Sequence, residues 1–224
     1  NNGGCYLDFL DGKYMINLLE PKAWASEPVE DPDAPEAFRR SGRISQHIAF
    51  LKDWFRSYKD FSDMEVDTIE IMLSRLYENF GLTETTDFSK LKPTDYPIME
   101  DLFALCMEEY RNYDPSGKPL YTEEILQRIC LGLNSVCVGA ESRFFNGHTN
   151  IEDNKFLIFG VKGIMDLNKK LRCAIEFNIL SYMTHQLLSV GNAVATLDEL
   201  YLFLDSPTTI EYIRNAMKLS LIHI

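Results

Sequence analysis

The chain has 224 residues, 46% of them hydrophobic and 25% charged, which is an ordinary globular mix and long enough for one cored domain with a subdomain. A net charge of −12 argues against a broad cationic footprint on nucleic acid, though it leaves room for a small basic loop inside a ring pore. No apolar run approaches the roughly 18 residues of a membrane span, and no basic, apolar, small-residue signal opens the chain.

Gly3-Gly4 leads into an extended piece at Cys5-Tyr6-Leu7, and the Asp11-Gly12 turn separates it from a second at Tyr14-Met15-Ile16. Residues 20–35 are acidic and carry Pro21, Pro28, Pro32 and Pro35, which predicts a solvated loop. Four helices then follow. The first is expected over residues 36–58, with Ile44, Ile48, Leu51 and Phe55 on one stripe. The second opens on a capping box of Ser62 and Glu65, carries Val66, Ile69, Leu73, Leu76 and Phe80, and stops at Gly81. The third is expected to start at Pro97, with Ile98, Leu102 and Leu105 inward. Thr122 caps the fourth, with Glu123 and Glu124 in its first turn and Ile125, Ile129 and Leu133 facing the core.

The pattern then changes. Residues 156–161 are a continuous apolar run, as in a strand buried on both faces. Gly160-Val161-Lys162-Gly163 reads as a strand-to-helix turn with Asp166 as cap. A long helix is expected over residues 167–190, ended by Gly191-Asn192, and residues 193–197 form a second buried strand. Ser206-Pro207 opens a last helix with Ile210, Ile213 and Met217 inward. Strand, crossover helix, strand and helix make a parallel α/β unit. The fold class is therefore α/β, with a core from residues 1–35 and 151–218 and a helical insertion over 36–150.

Two further features concern the chain as read. It starts at Asn1 rather than Met, and residues 219–224 resemble the translation of a sequencing-library adapter, so the natural chain is expected to continue past Lys218. The cysteines, Cys5, Cys106, Cys130, Cys137 and Cys173, form no C-x-x-C pair and read as thiols of a reducing compartment, with Cys130 and Cys137 in the core.

The chemistry-bearing pair is Asp198-Glu199, directly after the apolar run of residues 193–197. Open parallel sheets bind ligands at the carboxyl ends of their strands. Two acids there are costly unless a cation or polar ligand meets them. A nucleotide motor uses such a pair: one acid holds magnesium, usually through water, and the other orients the attacking water. The alternative is that Glu199 merely begins a helix, where the dipole favours acids. The phosphate side of such a site is not found in these residues, since no Gly-x-x-x-x-Gly-Lys-[Ser/Thr] occurs. Asn17 and Arg214 are weaker candidates: the first reads as a turn residue, the second as a solvated helix arginine. The interior histidines, His47, His148 and His185, are too far apart in sequence to suggest a metal site.

Around Asp198-Glu199, residues 193–212 resemble the Walker B region of the large ATPases of type IV secretion and conjugation, in the FtsK–HerA-like group of RecA-fold ring motors. Further matches are Gly3-Gly4 with Tyr6-Leu7-Asp8, the stretch from Tyr14 to Glu20, and the stretch from Gly139 to Asn150. The resemblance implies a RecA-like P-loop ATPase core interrupted by an all-helical subdomain. It also implies a hexamer driven by Mg²⁺ and ATP, working at the cytoplasmic face of a bacterial membrane with secretion channel components and a DNA or protein cargo. On that match Asp198 binds the cofactor's magnesium and Glu199 is catalytic, while the P-loop and sensor motif fall outside this fragment, which alone is expected to be inactive. The family's Asn-Pro is replaced here by Asn17-Leu18. A related DNA-pumping translocase or coupling protein, and a non-catalytic helical interaction module, are the alternatives.

Overall fold

The structure, a computed structural model, describes residues 4–23, 42–152, 156–190, 194–196, 210 and 212–214. Its sheet, among those residues, consists of β1 (Cys5–Asp8) and β2 (Leu157–Gly160). They pair in parallel, Cys5 opposite Leu157 and Asp8 opposite Gly160. A parallel pair needs a long crossover, and the described residues of this one hold four helices: α1 (Arg43–Lys59), α2 (Asp63–Asn79), α3 (Met99–Arg111) and α4 (Glu123–Cys137). After β2 a 3₁₀ turn at Lys162–Asp166 leads into α5 (Lys169–Val190).

The helix boundaries follow capping chemistry. Ser62 Oγ accepts the Glu65 amide at 3.4 Å, and Glu65 Oε2 accepts the Ser62 amide at 2.7 Å, so the expected capping box is present. Gly81 ends α2 at φ +70°, a conformation glycine adopts without side-chain strain. Thr122 Oγ1 caps α4 by accepting the Ile125 amide. Two starts differ from expectation. Helix α3 begins at Met99 rather than Pro97, because the Asp101 carboxylate turns back to accept the Ile98 amide at 2.8 Å. Helix α5 is capped by Asn168, whose Oδ1 accepts the Leu171 amide at 3.0 Å, so Asp166 stays in the preceding turn. The described start of α1 has no cap of its own. Glu84, from beyond α2, accepts the amides of Ile44 and Ser45 at 3.1 and 2.8 Å.

Helices α2, α3 and α4 pack on one another, and α1 lies between α2 and α5. Trp54 on α1 is the centre of that packing. Its ring stacks on Tyr58 at 5.1 Å and meets Phe55 and Phe145 edge-on. Its indole N–H donates to the Ala174 carbonyl of α5 at 3.0 Å, which satisfies the one polar atom of a fully buried side chain. One apolar cluster runs from Leu7 and Phe9 through α1–α4 to Ile175 and Phe177 on α5. Helix α5 is buried all round: Ala174, Ile175, Glu176, Phe177, Asn178, Ile179, Leu180 and Ser181 are all core positions.

The sheet differs from expectation in one respect. Leu7 is buried and Phe159 stacks on Phe9, but Tyr6 and Ile158 on the other face are 56% and 42% exposed. Among the described residues the strands are therefore covered on one face only. No disulfide joins the five cysteines, all of which lie among the described residues, and Cys106, Cys130 and Cys137 are buried in the bundle. No helix of the described residues is long and apolar enough to cross a membrane.

Replacing Glu84 with Ala removes the cap supplied to α1 from outside the helix and should lower unfolding free energy by about 1 kcal/mol. Equilibrium denaturant unfolding checks this, and Glu84→Gln, which keeps an acceptor, should recover part of the loss.

Candidate functional site

Because β1 and β2 run in parallel, their carboxyl ends share one edge of the sheet. On β1 that edge is Asp8, whose Oδ1 accepts the Leu10 amide at 3.0 Å and starts the turn through Asp11 and Gly12 (φ +72°). On β2 it is Gly160, followed by Val161, Lys162 and Gly163. A Cβ on Gly163 would come within 3.1 Å of the Leu10 side chain, so glycine lets the two connections close on each other. The stretch from Gly160 to Gly163 is thus a strand-to-helix connection, as its sequence suggests.

Asp198 and Glu199 lie outside the described residues. Of the strand expected before them, residues 194–196 are described, and they are neither in a strand nor buried: Val194 is 91% exposed. A buried strand must pair its backbone along an edge and have its faces covered, and neither β1 nor β2 pairs with residues 194–196. Farther on, residues 212–214 are helical. Ile213 packs on Leu180, and the Tyr212 ring meets Phe177 at 5.0 Å, so this piece folds back onto α5 with Arg214 exposed. Met217 lies outside the described residues.

The densest polar chemistry among the described residues is elsewhere, along the segment that leaves the sheet edge, residues 13–23. The segment contains no regular strand or helix, yet Ile16, Asn17, Leu18, Leu19 and Lys22 are all buried. Buried backbone must be hydrogen-bonded, and here the partners are side chains from distant elements. Asn150 Oδ1 accepts the Met15 amide at 2.7 Å, and Thr149 Oγ1 accepts the Asn17 amide at 3.0 Å. Asn178 of α5 donates to the Ile16 carbonyl at 2.9 Å. Tyr77 of α2 donates to the Leu19 carbonyl at 2.8 Å. The Arg43 guanidinium donates to the Pro21 carbonyl at 2.9 Å. Asn17 supplies three contacts itself: its amide to Thr149, its Nδ2 to the Pro97 carbonyl at 2.9 Å, and its Oδ1 as acceptor for the Leu19 amide at 3.0 Å. Leucine at position 18 is therefore compatible with a tight turn that the side chain of Asn17 closes.

Two histidines that are 138 positions apart in sequence, His47 and His185, meet at this segment. His47 Nδ1 accepts the Lys22 amide at 3.4 Å and its Nε2 donates to the Leu18 carbonyl at 2.9 Å. His185 Nδ1 accepts the next amide, that of Ala23, at 2.9 Å. The Lys22 ammonium acts on both rings and lies 3.3 Å from Glu20 Oε2 and 3.4 Å from the Asn17 carbonyl. Glu20 is held in turn by the hydroxyl of Thr149. Burial lowers the Lys22 pKa, with Glu20 opposing the shift. Burial also pushes His47 well below the ordinary histidine value and takes His185 to about 4, and the Lys22 charge adds to both shifts. Both rings are neutral at pH 7. Sequence reasoning missed this cluster because nothing in the spacing of His47 and His185 signals that they converge. Among the described residues no group of three or more His, Cys, Asp or Glu side chains is placed to hold a metal ion.

The arrangement of sheet edge, helical bundle and α5 has a counterpart among solved structures. The chain is similar to VirB4. The structure of VirB4 of Thermoanaerobacter pseudethanolicus superposes with a TM-score of 0.79 at 24% sequence identity, over 97% of this chain and 54% of that one. At that identity the likeness shows a shared fold, and this chain spans about half the length of VirB4. Coverage of 97% takes in the parallel strands, the helical crossover and α5 together. No protein-family model matches the chain, and no curated protein matches it.

Asn17 joins three partners at the centre of the polar segment. Asn17→Ala leaves the Pro97 carbonyl and the Leu19 amide without partners in the interior, and should cost about 2 to 3 kcal/mol of stability in denaturant unfolding. A loss below about 0.5 kcal/mol would mean that the segment is not held as described.

Proposed function

We propose that this chain is part of a VirB4-type motor ATPase of type IV secretion, contributing the acidic side of its nucleotide site. The observation that carries the reading is the convergence of two lines: the ordered motifs resemble the secretion and conjugation ATPases, and the fold is that of VirB4 over 97% of the chain. The parallel pairing of β1 with β2 across a helical crossover supports a RecA-like core interrupted by a helical insertion.

In this reading residues 1–35 and 151–218 belong to the ATPase core and residues 36–150 to the inserted subdomain. Asp198 would hold Mg²⁺, and Glu199 would orient the attacking water and take its proton. Magnesium bound with ATP would supply neutralisation of the charge that develops on the transferred phosphoryl group. Phosphoryl transfer is mostly positioning and charge stabilisation, so both acids must be fixed on rigid backbone. The phosphate-binding loop comes from the additional length that a VirB4-type protein has. The full motor works as a hexamer at the cytoplasmic face of the membrane, against the secretion channel, moving DNA or protein.

Glu199→Gln in the longer protein should lower ATP turnover by about 100-fold or more while ATP still binds. Unchanged turnover would refute the assignment and leave the Asp-Glu pair as a helix start. The 224-residue chain alone should show no Mg²⁺-dependent ATP hydrolysis.

A further inference from the structure

The contacts of His47 and His185 share a chemical condition. Each ring uses Nδ1 to accept a backbone N–H, and the two N–H groups are consecutive, from Lys22 and Ala23. A protonated imidazole has no acceptor nitrogen. We propose that residues 16–23 are an acid-releasable latch, closed by neutral His47 and His185 and freed when either ring takes up a proton and turns its acceptor into a donor.

The surroundings make the latch sensitive to that one event. From the segment, Lys22 and Glu20 face the rings, and from α1, Arg43; Tyr96, before α3, lies by Glu20 and Arg43, and burial, then Glu20, push it up to about 12. Two fixed cations against one carboxylate leave the cluster locally positive, so a third charge on an imidazole is repelled. The Phe50 ring lies 5.5 Å from His47, and the Tyr182 ring lies 5.9 Å from the Lys22 ammonium, so little water reaches His47 or Lys22, while His185 is part-buried. Ser189 on α5, 3.1 Å from His185 Nδ1, is the nearest alternative partner for that nitrogen. The segment continues directly from the carboxyl end of β1, and its other bonds run to Arg43 of α1, to α2, α5, Pro97 before α3 and the loop at Thr149 and Asn150. Opening it therefore unfastens the helical bundle from the sheet edge and withdraws Ile16, Leu18 and Leu19 from the shared core.

The sign follows from the depressed histidine values. Above pH 6.5 both rings are neutral whether the latch is closed or open, and closure is fully stable. Below it the open form takes up protons that the closed form refuses. Closure therefore weakens by up to tenfold per pH unit for each coupled ring, down to about pH 4 for His185.

Hydrogen exchange of the whole chain, corrected for the intrinsic pH dependence of exchange, tests this. Protection at residues 16–23 should fall at least about tenfold between pH 7 and pH 5, while amides in α3 and α4 change by less than about threefold. His185→Asn keeps an acceptor oxygen near the position of Nδ1 that cannot be protonated, and should give a shallower pH dependence than the wild type. Protection that stays flat to pH 4.5, an equal fall over every helix, or a variant slope matching the wild type would each overturn the proposal. Should the variant fail to fold, ¹³C-labelled histidine spectra of the wild type decide: a His185 ring that titrates at or above pH 6.5 overturns it, and one that titrates well below supports it.

Discussion

An irregular stretch of backbone can be buried only if its amides and carbonyls find partners, and in residues 13–23 many of those partners are side chains from elsewhere. The partners lie 135 positions away at Asn150, 132 at Thr149, 162 at Asn178 and His185, and 58 at Tyr77. In a helix or strand the backbone satisfies itself. Here α1, α2, α5 and the loop after α4 must all be in place before the segment can be dry. An unpaired buried polar group costs about 1 to 3 kcal/mol, so the segment can settle only into an assembled molecule, and it ties the helical bundle and the sheet edge into one unit.

The stretch from Gly139 to Asn150 acquires a physical role from the same demand. Phe144 and Phe145 enter the core, with Phe145 against Trp54, while Glu141 accepts the hydroxyl of Tyr58. Asn146 Oδ1 accepts the Glu100 amide at 2.9 Å, in the first turn of α3. Thr149 and Asn150 then reach the segment beyond β1. One short stretch thus anchors in the aromatic core, supports the start of a helix, and fastens the chain that leaves the sheet. A motor that turns events at its sheet edge into motion of an attached helical body needs such a mechanical tie, which agrees with the proposed function.

The local parts of this fold were readable from sequence because their causes are local. The Ser62–Glu65 box, the Thr122 cap and the Gly81 stop each depend on residues within one turn, and all appear where expected. The strands β1 and β2 were legible from apolar runs between turn signals, but the parallel unit expected from the sequence joined residues 156–161 to residues 193–197, and the pairing of β1 with β2 emerges only in the fold. What was not legible depends on side chains that cross the molecule. Glu84 caps α1 from forty residues away, the two histidines converge only through the fold, and Tyr14-Met15-Ile16 looks like a strand but is bonded by asparagines. The apolar run before Asp198 also reads as a buried strand, yet its described residues are exposed. The candidate acids themselves were legible only as a motif, through order and context, and their setting lies outside the described residues.

The account turns on whether those two carboxylates face a metal-bound triphosphate. A crystal structure of the longer protein with Mg²⁺ and a non-hydrolysable ATP analogue is the most direct measurement. It should place the Asp198 carboxylate on a water of the magnesium shell, and Glu199 within hydrogen-bond reach of the water facing the γ-phosphate. Both carboxylates pointing to bulk solvent, with the metal held by other residues, would contradict it.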